Sequence, residues 1–142
     1  MSIEIVRLRP ANAQLLEAIA PEVFDYEIDP HYLGAFLGDP RHIMYLAVDS
    51  QAVVGMASAV EYFHPDKPPQ LWINEVGVAL SHRQQGIGRR LIQKLVATAK
   101  ERGCVYAWLG TDVDNVAAQA CFSSVPAVKT PQPFLLYEWE LE

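Results

Sequence analysis

A strand that runs directly into a glycine-bearing helix start carries the most specific chemistry of this chain. The stretch from Val76 to Leu91 reads VGVALSHRQQGIGRRL, with glycine at positions 86 and 88. The first N–H groups of a helix have no partner within the helix and lie at the positive end of its dipole, so they attract phosphate. Glycine removes the Cβ atoms that would keep a diphosphate away from the backbone. The pattern predicts a phosphate-binding turn, and Arg83, Arg89 and Arg90 add positive charge around it.

Two common phosphate loops are excluded by the residues around this turn. The dinucleotide fingerprint needs glycine where this chain has Leu91, and the Walker loop needs Gly-Lys-Ser/Thr at residues 88–90, which are Gly-Arg-Arg. The remaining pattern is Arg83-x-x-Gly86-x-Gly88 directly after a valine-rich strand. It resembles the acyl-CoA signature of the GNAT superfamily of N-acetyltransferases. A glycine-rich helix start that binds no ligand is the alternative.

The resemblance implies that acetyl-CoA is a co-substrate and that no metal takes part. In this family the strand before the signature separates from its neighbour, and the pantetheine arm lies in the opening. Carried over by position, the backbone of Val76 and Val78 would bind pantetheine, unless both belong only to an ordinary core strand. The residues implied to surround the diphosphate are Arg83, Gln84, Gln85, Gly86, Ile87, Gly88 and Arg89.

A second family motif, N-x-x-A-x-x-x-Y, is matched in part by Asn115, Ala118 and Phe122. The resemblance implies that all three line the cofactor site and that Asn115 hydrogen-bonds pantetheine. The family's tyrosine is thought to protonate the leaving thiolate, which phenylalanine cannot do. Tyr137, Tyr106 or water would replace it, or the thiolate would leave unassisted, since a thiol pKa of about 8.5 makes it a tolerable leaving group. A CoA-binding module without efficient transfer is therefore a second interpretation.

The transfer reaction needs a base, and Glu75 is the candidate. A primary amine with a pKa near 10 costs about 4 kcal/mol to deprotonate at pH 7, so an acceptor for its proton is expected. Glu75 interrupts the largely apolar residues 71–78, where burying an unpartnered carboxylate is costly. Its distance from Gly86 resembles that of the acidic residue in small aminoglycoside N-acetyltransferases. A solvated residue on an open sheet face is the alternative, and the N–H of Val76 is expected to hold the oxyanion.

Further partial similarity to aminoglycoside acetyltransferases predicts a small cationic amine as acceptor. The candidate substrate-binding residues are Glu27, Asp29, Tyr32, Glu61 and Asp112. Glu61 is also the second choice for the base. Other acidic or aromatic residues available to the acceptor are Asp25, Asp66, Tyr26, Phe63 and Trp72. An amino acid, another small amine or a protein amine is the alternative acceptor, and acidic loops that are merely solvated are the alternative for the carboxylates.

Composition limits the class of protein. The 142 residues, 51% hydrophobic and 20% charged, are typical of one soluble globular domain spanning 1–142. A net charge of −6 disfavours nucleic acid as a partner. The apolar runs are too short to span a membrane, and the start lacks a secretory pattern, so a cytoplasmic protein is expected.

The cysteines, histidines and late aromatic residues give weaker indications. Cys104 and Cys121 are expected to be reduced thiols, and the four histidines are scattered without a metal-ligand pattern. The resemblance to the GNAT family implies a homodimer, and Tyr137 and Trp139 are expected to be exposed aromatic residues on a final strand.

Periodicity places the motifs on a β-α-α-β-β-β-α-β-α-β order. Apolar residues every four positions predict a helix from Gly86 to about Arg102. The order predicts an α/β fold, a single mixed and mostly antiparallel twisted sheet with helices on both faces, as in the GNAT family. Three further expectations are a first helix that carries Leu15, Leu16 and Ile19, a stiff loop over 64–69 and a last strand over 134–141. Asp112 or Asp114 is expected to cap the helix that carries the second motif.

Overall fold

Five strands form one sheet in the computed structural model, which describes residues 2–141. The strands are β1 (Glu4–Arg7), β2 (His42–Asp49), β3 (Ala52–His64), β4 (Lys67–Val78) and β5 (Tyr106–Trp108). The α-helices are α1 (Pro30–Gly38), α2 (Ile87–Glu101) and α3 (Val116–Ser123), and 3₁₀ helices span Pro10–Glu17 and Leu80–His82. Strands β1 to β4 pair antiparallel in chain order, and β5 joins β4 in parallel. The predicted mixed, mostly antiparallel sheet is confirmed.

Helices pack on both faces of the sheet, as predicted. On one face, the α2 face, the hydroxyl groups of Tyr45 and Thr98 lie 2.7 Å apart. Residues directly opposite each other in neighbouring strands share a face, so Val76 joins Tyr45 there through Ala57. On the other face, the α1 face, the ring of Phe36 lies 5.5 Å from that of His42.

A bulge in β4 decides which side chain points to which face. Ala59 pairs with Ile73, whereas Ser58 pairs with Glu75, so Asn74 is the extra residue on β4. The Ser58 hydroxyl donates to Asn74 Oδ1 at 2.8 Å. After this bulge Glu75 points to the α1 face, and the two following valines point to the α2 face.

Helix α2 forms as its sequence predicts. Its apolar stripe, Ile87, Leu91, Leu95 and Ala99, is at most 4% exposed. Gly86 is the N-cap, and Gly103 follows the last turn with φ +80°. The stripe packs on β2, β3 and β4 and so fixes where the helix starts relative to the end of β4.

The first predicted helix is instead a 3₁₀ helix with a non-helical residue, Asn12. The Asn12 side chain accepts from Arg9 N at 2.7 Å and donates to the Arg7 carbonyl at 2.9 Å. A short polar side chain that bonds the nearby backbone competes with the helical ladder. This competition is why the apolar spacing did not produce an α-helix.

The predicted loop over 64–69 is wrong, because β3 and β4 continue into a tight hairpin there. His64 pairs with Lys67 and Tyr62 with Gln70, so Phe63 alone stands opposite residues 68 and 69. Both of those residues are prolines, which lack an N–H for the ladder. The register shift lets the strand carry them.

The predicted strand over 134–141 is also wrong. Residues 128–141 form no helix or strand, and Leu135, Tyr137 and Trp139 are 77%, 71% and 78% exposed. Alternation predicts a strand only when a neighbouring strand supplies hydrogen bonds, and prolines at 131 and 133 remove donors just before this stretch.

Candidate active site

A cleft opens where β4 and β5 separate. The two strands pair only between Gln70–Trp72 and Tyr106–Trp108, and beyond this contact a space of about 140 Å³ lies between them. Its lining residues are Ile73, Asn74, Glu75, Val76, Leu109, Gly110, Thr111, Asn115, Ala118 and Phe122. The structure therefore brings Glu75 and Val76 together with the three residues of the second motif.

The predicted phosphate turn, residues 83–89, follows the end of β4 and leads into α2. Gln84 and Gly86 both have left-handed backbone, with φ of 63° and 77°. Left-handed residues alternating with others are typical of nests, in which successive N–H groups converge on an anion. Gly86 provides no side-chain cap for α2, so the first N–H groups of the helix receive no side-chain acceptor from it.

Gly86 and Gly88 are each required for a different physical reason. A Cβ on Gly86 would meet nothing within 4 Å, so its left-handed conformation is the constraint. A Cβ on Gly88 would lie 2.8 Å from Cys121 Sγ on α3. Gly88 is buried, and it allows α3 to approach the start of α2 and the side of the cleft. The sequence interpretation, which assigned both glycines to phosphate approach alone, missed this packing role.

The three arginines near the turn, Arg83, Arg89 and Arg90, make different contacts. Arg83 Nε donates to the Val78 carbonyl at 3.1 Å and so braces the end of β4. Arg90 Nη2 donates to the Ile3 carbonyl at 2.9 Å, which draws it away from the turn. Arg89 is exposed on the first turn of α2 and remains the arginine best placed beside the glycines.

Asn115, and neither Asp112 nor Asp114, caps α3. Asn115 Oδ1 accepts from Ala118 N at 3.0 Å, which fixes the start of α3 at the cleft. The main-chain carbonyl of Asp112 accepts from Asn115 N at 3.0 Å. The side chain of Asp112 is exposed and forms no hydrogen bond within residues 2–141. The predicted cap was wrong because the chain turns once more after residue 112 before α3 begins.

Glu75 lies on the α1 face at the wall of the cleft, still in contact with solvent. The surrounding protein desolvates the carboxyl and raises the pKa of Glu75, and the negative charge of Asp25 raises it further. The segment before Asp25 crosses β4 closely, since a Cβ on Gly77 would lie 2.2 Å from the Val23 carbonyl oxygen. The negative charge of Asp25, which is distant in sequence, therefore acts on Glu75.

Glu61 does not join this group. It points to the α2 face, where its Oε1 accepts from Arg102 Nη1 at 3.0 Å. Residues alternate across a strand, so Glu61 and Ser58, the partner of Glu75, face opposite sides. Its assignment as second base or substrate ligand is therefore corrected.

Three of the other predicted substrate residues, Glu27, Asp29 and Tyr32, lie in or just before α1, whereas Asp112 precedes α3. Asp29 Oδ1 accepts from the N–H groups of His31 and Tyr32 at 2.8 and 3.1 Å, so it caps α1. Glu27 and Tyr32 are exposed. Their location on the α1 side is compatible with acceptor contact, but only Asp25 shows an electrostatic effect on Glu75.

Trp72, Trp108 and Tyr62 form an aromatic row on the α1 face. Of these residues, the sequence interpretation named only Trp72. The rings of Trp72 and Trp108 stack with centroids 5.7 Å apart and planes at 21°. Trp108 Nε1 donates to the Tyr62 hydroxyl at 2.7 Å, which donates to Gln70 Oε1 at 2.9 Å. Strand pairing brings these four residues together, and no local pattern in the sequence predicts that they are neighbours.

Phe122 lines the cleft, and neither alternative proton donor joins it there. Tyr106 is half exposed at the start of β5, and Tyr137 is exposed in the C-terminal segment. The lining residues of the cleft, within the part of the chain that the structure describes, include no tyrosine.

Residues 2–141 hold no group of three or more His, Cys, Asp or Glu side chains arranged to bind a metal ion. None of the helices in that range is both long enough and apolar enough to cross a membrane. Cys104 and Cys121 are free thiols, and burial is the main cause that raises the pKa of each.

The sequence profile of the acetyltransferase (GNAT) family matches residues 10–124. The human protein N-acetyltransferase 8 is 27% identical over 101 residues, which are 70% of this chain and 44% of that protein. The match thus spans less than half the length of this curated relative.

Solved structures resemble this fold over nearly its whole length. The aminoglycoside acetyltransferase meta-AAC0020 from an uncultured soil metagenomic sample, in complex with sisomicin, superposes with a TM-score of 0.75 and 20% identity. The similarity covers 97% of both chains. AAC(6')-Iy, in complex with the bisubstrate analog CoA-S-monomethyl-acetylneamine, gives a TM-score of 0.76 and 16% identity over 98% of this chain and 99% of that one. At these identities the likeness shows the fold.

Proposed function

Because this chain belongs to the acetyltransferase (GNAT) family, we propose that it transfers an acetyl group from acetyl-CoA to a primary amine of a small cationic acceptor. The amine attacks the thioester directly in a ternary complex, without a covalent enzyme intermediate. One observation carries the proposal. The cleft between β4 and β5 is lined by the part of β4 that leads into a helix start with nest-like backbone, and Glu75 lies at the wall of the same cleft.

The residues present fit the parts of acetyl-CoA. The N–H groups of residues 84–89 would hold the diphosphate, with Arg89 adding charge. The backbone of Val76 and Val78 would pair with the amide groups of pantetheine as an added strand does. Asn115 keeps its Nδ2 group for the same arm, while Ala118 and Phe122 form the apolar wall. Arg83 would act through the end of β4 that it braces.

Glu75 would take the proton from the attacking amine, directly or through one water. Its raised pKa suits this task, because a base acts best when its pKa approaches the working pH. The Val76 N–H, adjacent to Glu75 in the cleft, would stabilise the oxyanion that forms on the thioester carbonyl.

The acceptor class follows from charge. The negative charge of Asp25 acts on Glu75, and Glu27 and Asp29 add charge on the exposed segment that follows Asp25. Asp112 is exposed and directly follows Thr111, which lines the cleft. A cationic small amine, including an aminoglycoside, suits such a surface. An amino acid, another small amine or a protein amine is the alternative within the same reaction class.

A CoA-binding module without efficient transfer is the second candidate function, and Phe122 favours it. The family's tyrosine hydroxyl is replaced here by a phenylalanine on the wall of the cleft. Restoring the hydroxyl with Phe122→Tyr should raise kcat if thiolate departure limits the reaction.

The deciding experiment measures thiol release from acetyl-CoA with a panel of amines, among them kanamycin-type and gentamicin-type aminoglycosides, amino acids and a peptide amine. Turnover with any of them supports the transferase. Tight CoA binding without turnover supports the module. A thermal-shift titration separates both from a domain that binds nothing, since ligand at 100 times Kd adds about 2.7 kcal/mol to the unfolding free energy.

We also propose a homodimer that uses the C-terminal segment. Leu135, Tyr137 and Trp139 present large apolar side chains to solvent, and β5 is an edge strand of the sheet that residues 2–141 form. Sedimentation equilibrium of the full chain and of a Tyr137→Ser, Trp139→Ser variant tests this: a dimer that the variant weakens is the expected result, and a monomeric full chain contradicts it.

A further inference from the structure

The aromatic row lies on the same face as the candidate base and next to it. Glu75 pairs with Ser58, and Trp72 pairs with Val60, two residues further along β3. Two residues of a strand span about 7 Å. The positions of Trp72 and Glu75 on β4 are therefore about one such step apart, and Trp108 stands beside Trp72 on the neighbouring strand.

The row is held in place rather than loosely exposed. Trp108 is fixed by its bond to Tyr62, and Tyr62 by its bond to Gln70, at 2.7 and 2.9 Å. Trp72 nevertheless remains 39% exposed and Tyr62 37% exposed. Trp72 therefore stacks on an indole ring that is held by its polar edge, and it leaves part of its own surface uncovered on the face of Glu75, where a ligand could bind.

We propose that Trp72 and Trp108 form a subsite for a second cationic centre of the acceptor. This inference rests on the proposed transferase function and names the acceptor more closely. The face of an indole ring attracts cations more strongly than any other side-chain ring. The acceptor is then a diamine or polyamine whose second ammonium lies roughly 7 Å from the reacting nitrogen. This is the spacing along the strand between the positions of Trp72 and Glu75.

Two chemical sources provide such a spacing, a flexible linear polyamine and a ring-based amino sugar. Cadaverine and neamine represent them, and pentylamine is the matched monoamine that lacks the second charge. Steady-state KM for each amine is measured with the full chain, with Trp72→Leu and with Trp72→Phe. Trp139→Leu is the control, an exposed aromatic residue of the C-terminal segment that lies outside the row.

The expected result is a KM for cadaverine or neamine that rises about fivefold more than the KM for pentylamine in Trp72→Leu. The Trp72→Phe variant, which keeps an aromatic face, should recover part of this difference, and Trp139→Leu should show none. The amine with the larger difference identifies the source. Equal changes for all three amines, or no change, overturn the subsite.

A binding measurement separates this inference from the proposed function. Calorimetric titration of cadaverine and pentylamine in the presence of desulfo-CoA gives Kd values without turnover. If the chain turns over no amine but binds cadaverine more tightly through Trp72, the transferase proposal fails and the subsite stands. If it acetylates amines but Trp72→Leu does not weaken cadaverine binding, the subsite fails and the transferase stands.

Discussion

The two sides of β4 obtain their proposed functional residues in different ways. The proposed cofactor side is almost continuous in sequence, since residues 76–89 supply the strand end, the turn and the helix start. The acceptor side collects Asp25, Glu75 and Trp108 from segments far apart in the chain. A site built from backbone N–H groups can be recognised in one stretch of sequence, whereas a site built from side chains across strands needs the strand pairing.

The largest expected effect tests the acceptor side at its centre. Glu75→Gln should lower kcat/KM for a primary amine by 10²-fold or more, the usual scale for a positioned base. Glu61→Gln is the matched control, because Glu61 faces the opposite side of the sheet and pairs with Arg102. Steady-state kinetics that show equal losses in both variants would remove Glu75 from its assigned role.

Gly86→Ala tests the cofactor side. A Cβ at φ 77° is strained by about 1–3 kcal/mol, so the turn should relax and KM for acetyl-CoA should rise about tenfold. Gly103→Ala places the same strain at the other end of α2, at φ 80°. It should destabilise the fold without changing KM for acetyl-CoA, and a similar KM rise in both variants contradicts a specific role for the turn.

A smaller effect tests the packing that holds α3 at the cleft. Gly88→Ala brings a Cβ to within 2.8 Å of Cys121 Sγ, and overpacking of this kind costs about 1 kcal/mol or more. Urea unfolding should show this loss, and Cys121→Ala in the same chain should recover most of it. If the second change recovers nothing, the contact between α2 and α3 is not the constraint on Gly88.

The smallest effect concerns the charge beside the base. Glu75 acts deprotonated, so kcat/KM rises with pH through its pKa, which burial and then Asp25 raise above the usual range. Asp25→Asn removes the repulsion and should move the rise to lower pH. Glu27→Gln, an equal loss of charge at an exposed position, is the control. A pH profile that Asp25→Asn leaves in place excludes this coupling.

The sequence predicted the elements that local patterns encode. The period of α2 and the position of Glu75 before the turn both depend on nearby residues, and the structure shows both of them. The family and the fold class followed from the signature at Arg83, Gly86 and Gly88, and the comparisons confirm both.

The failures share one physical cause, which is dependence on distant partners. Glu61 was assigned to the acceptor because the sequence does not show that the Asn74 bulge reverses the side-chain alternation of β4 relative to β3. The strand predicted over 134–141 has the right alternation but no neighbour to pair with. Trp108 went unnoticed because only pairing with Trp72 gives it a role.

A crystal structure of the chain with CoA tests the central claim most directly. The account predicts the diphosphate on the N–H groups of residues 84–89 and the pantetheine arm between β4 and β5, with its sulfur beside Glu75 and Phe122. A turn without the diphosphate, or a pantetheine arm that lies outside this cleft, would contradict it.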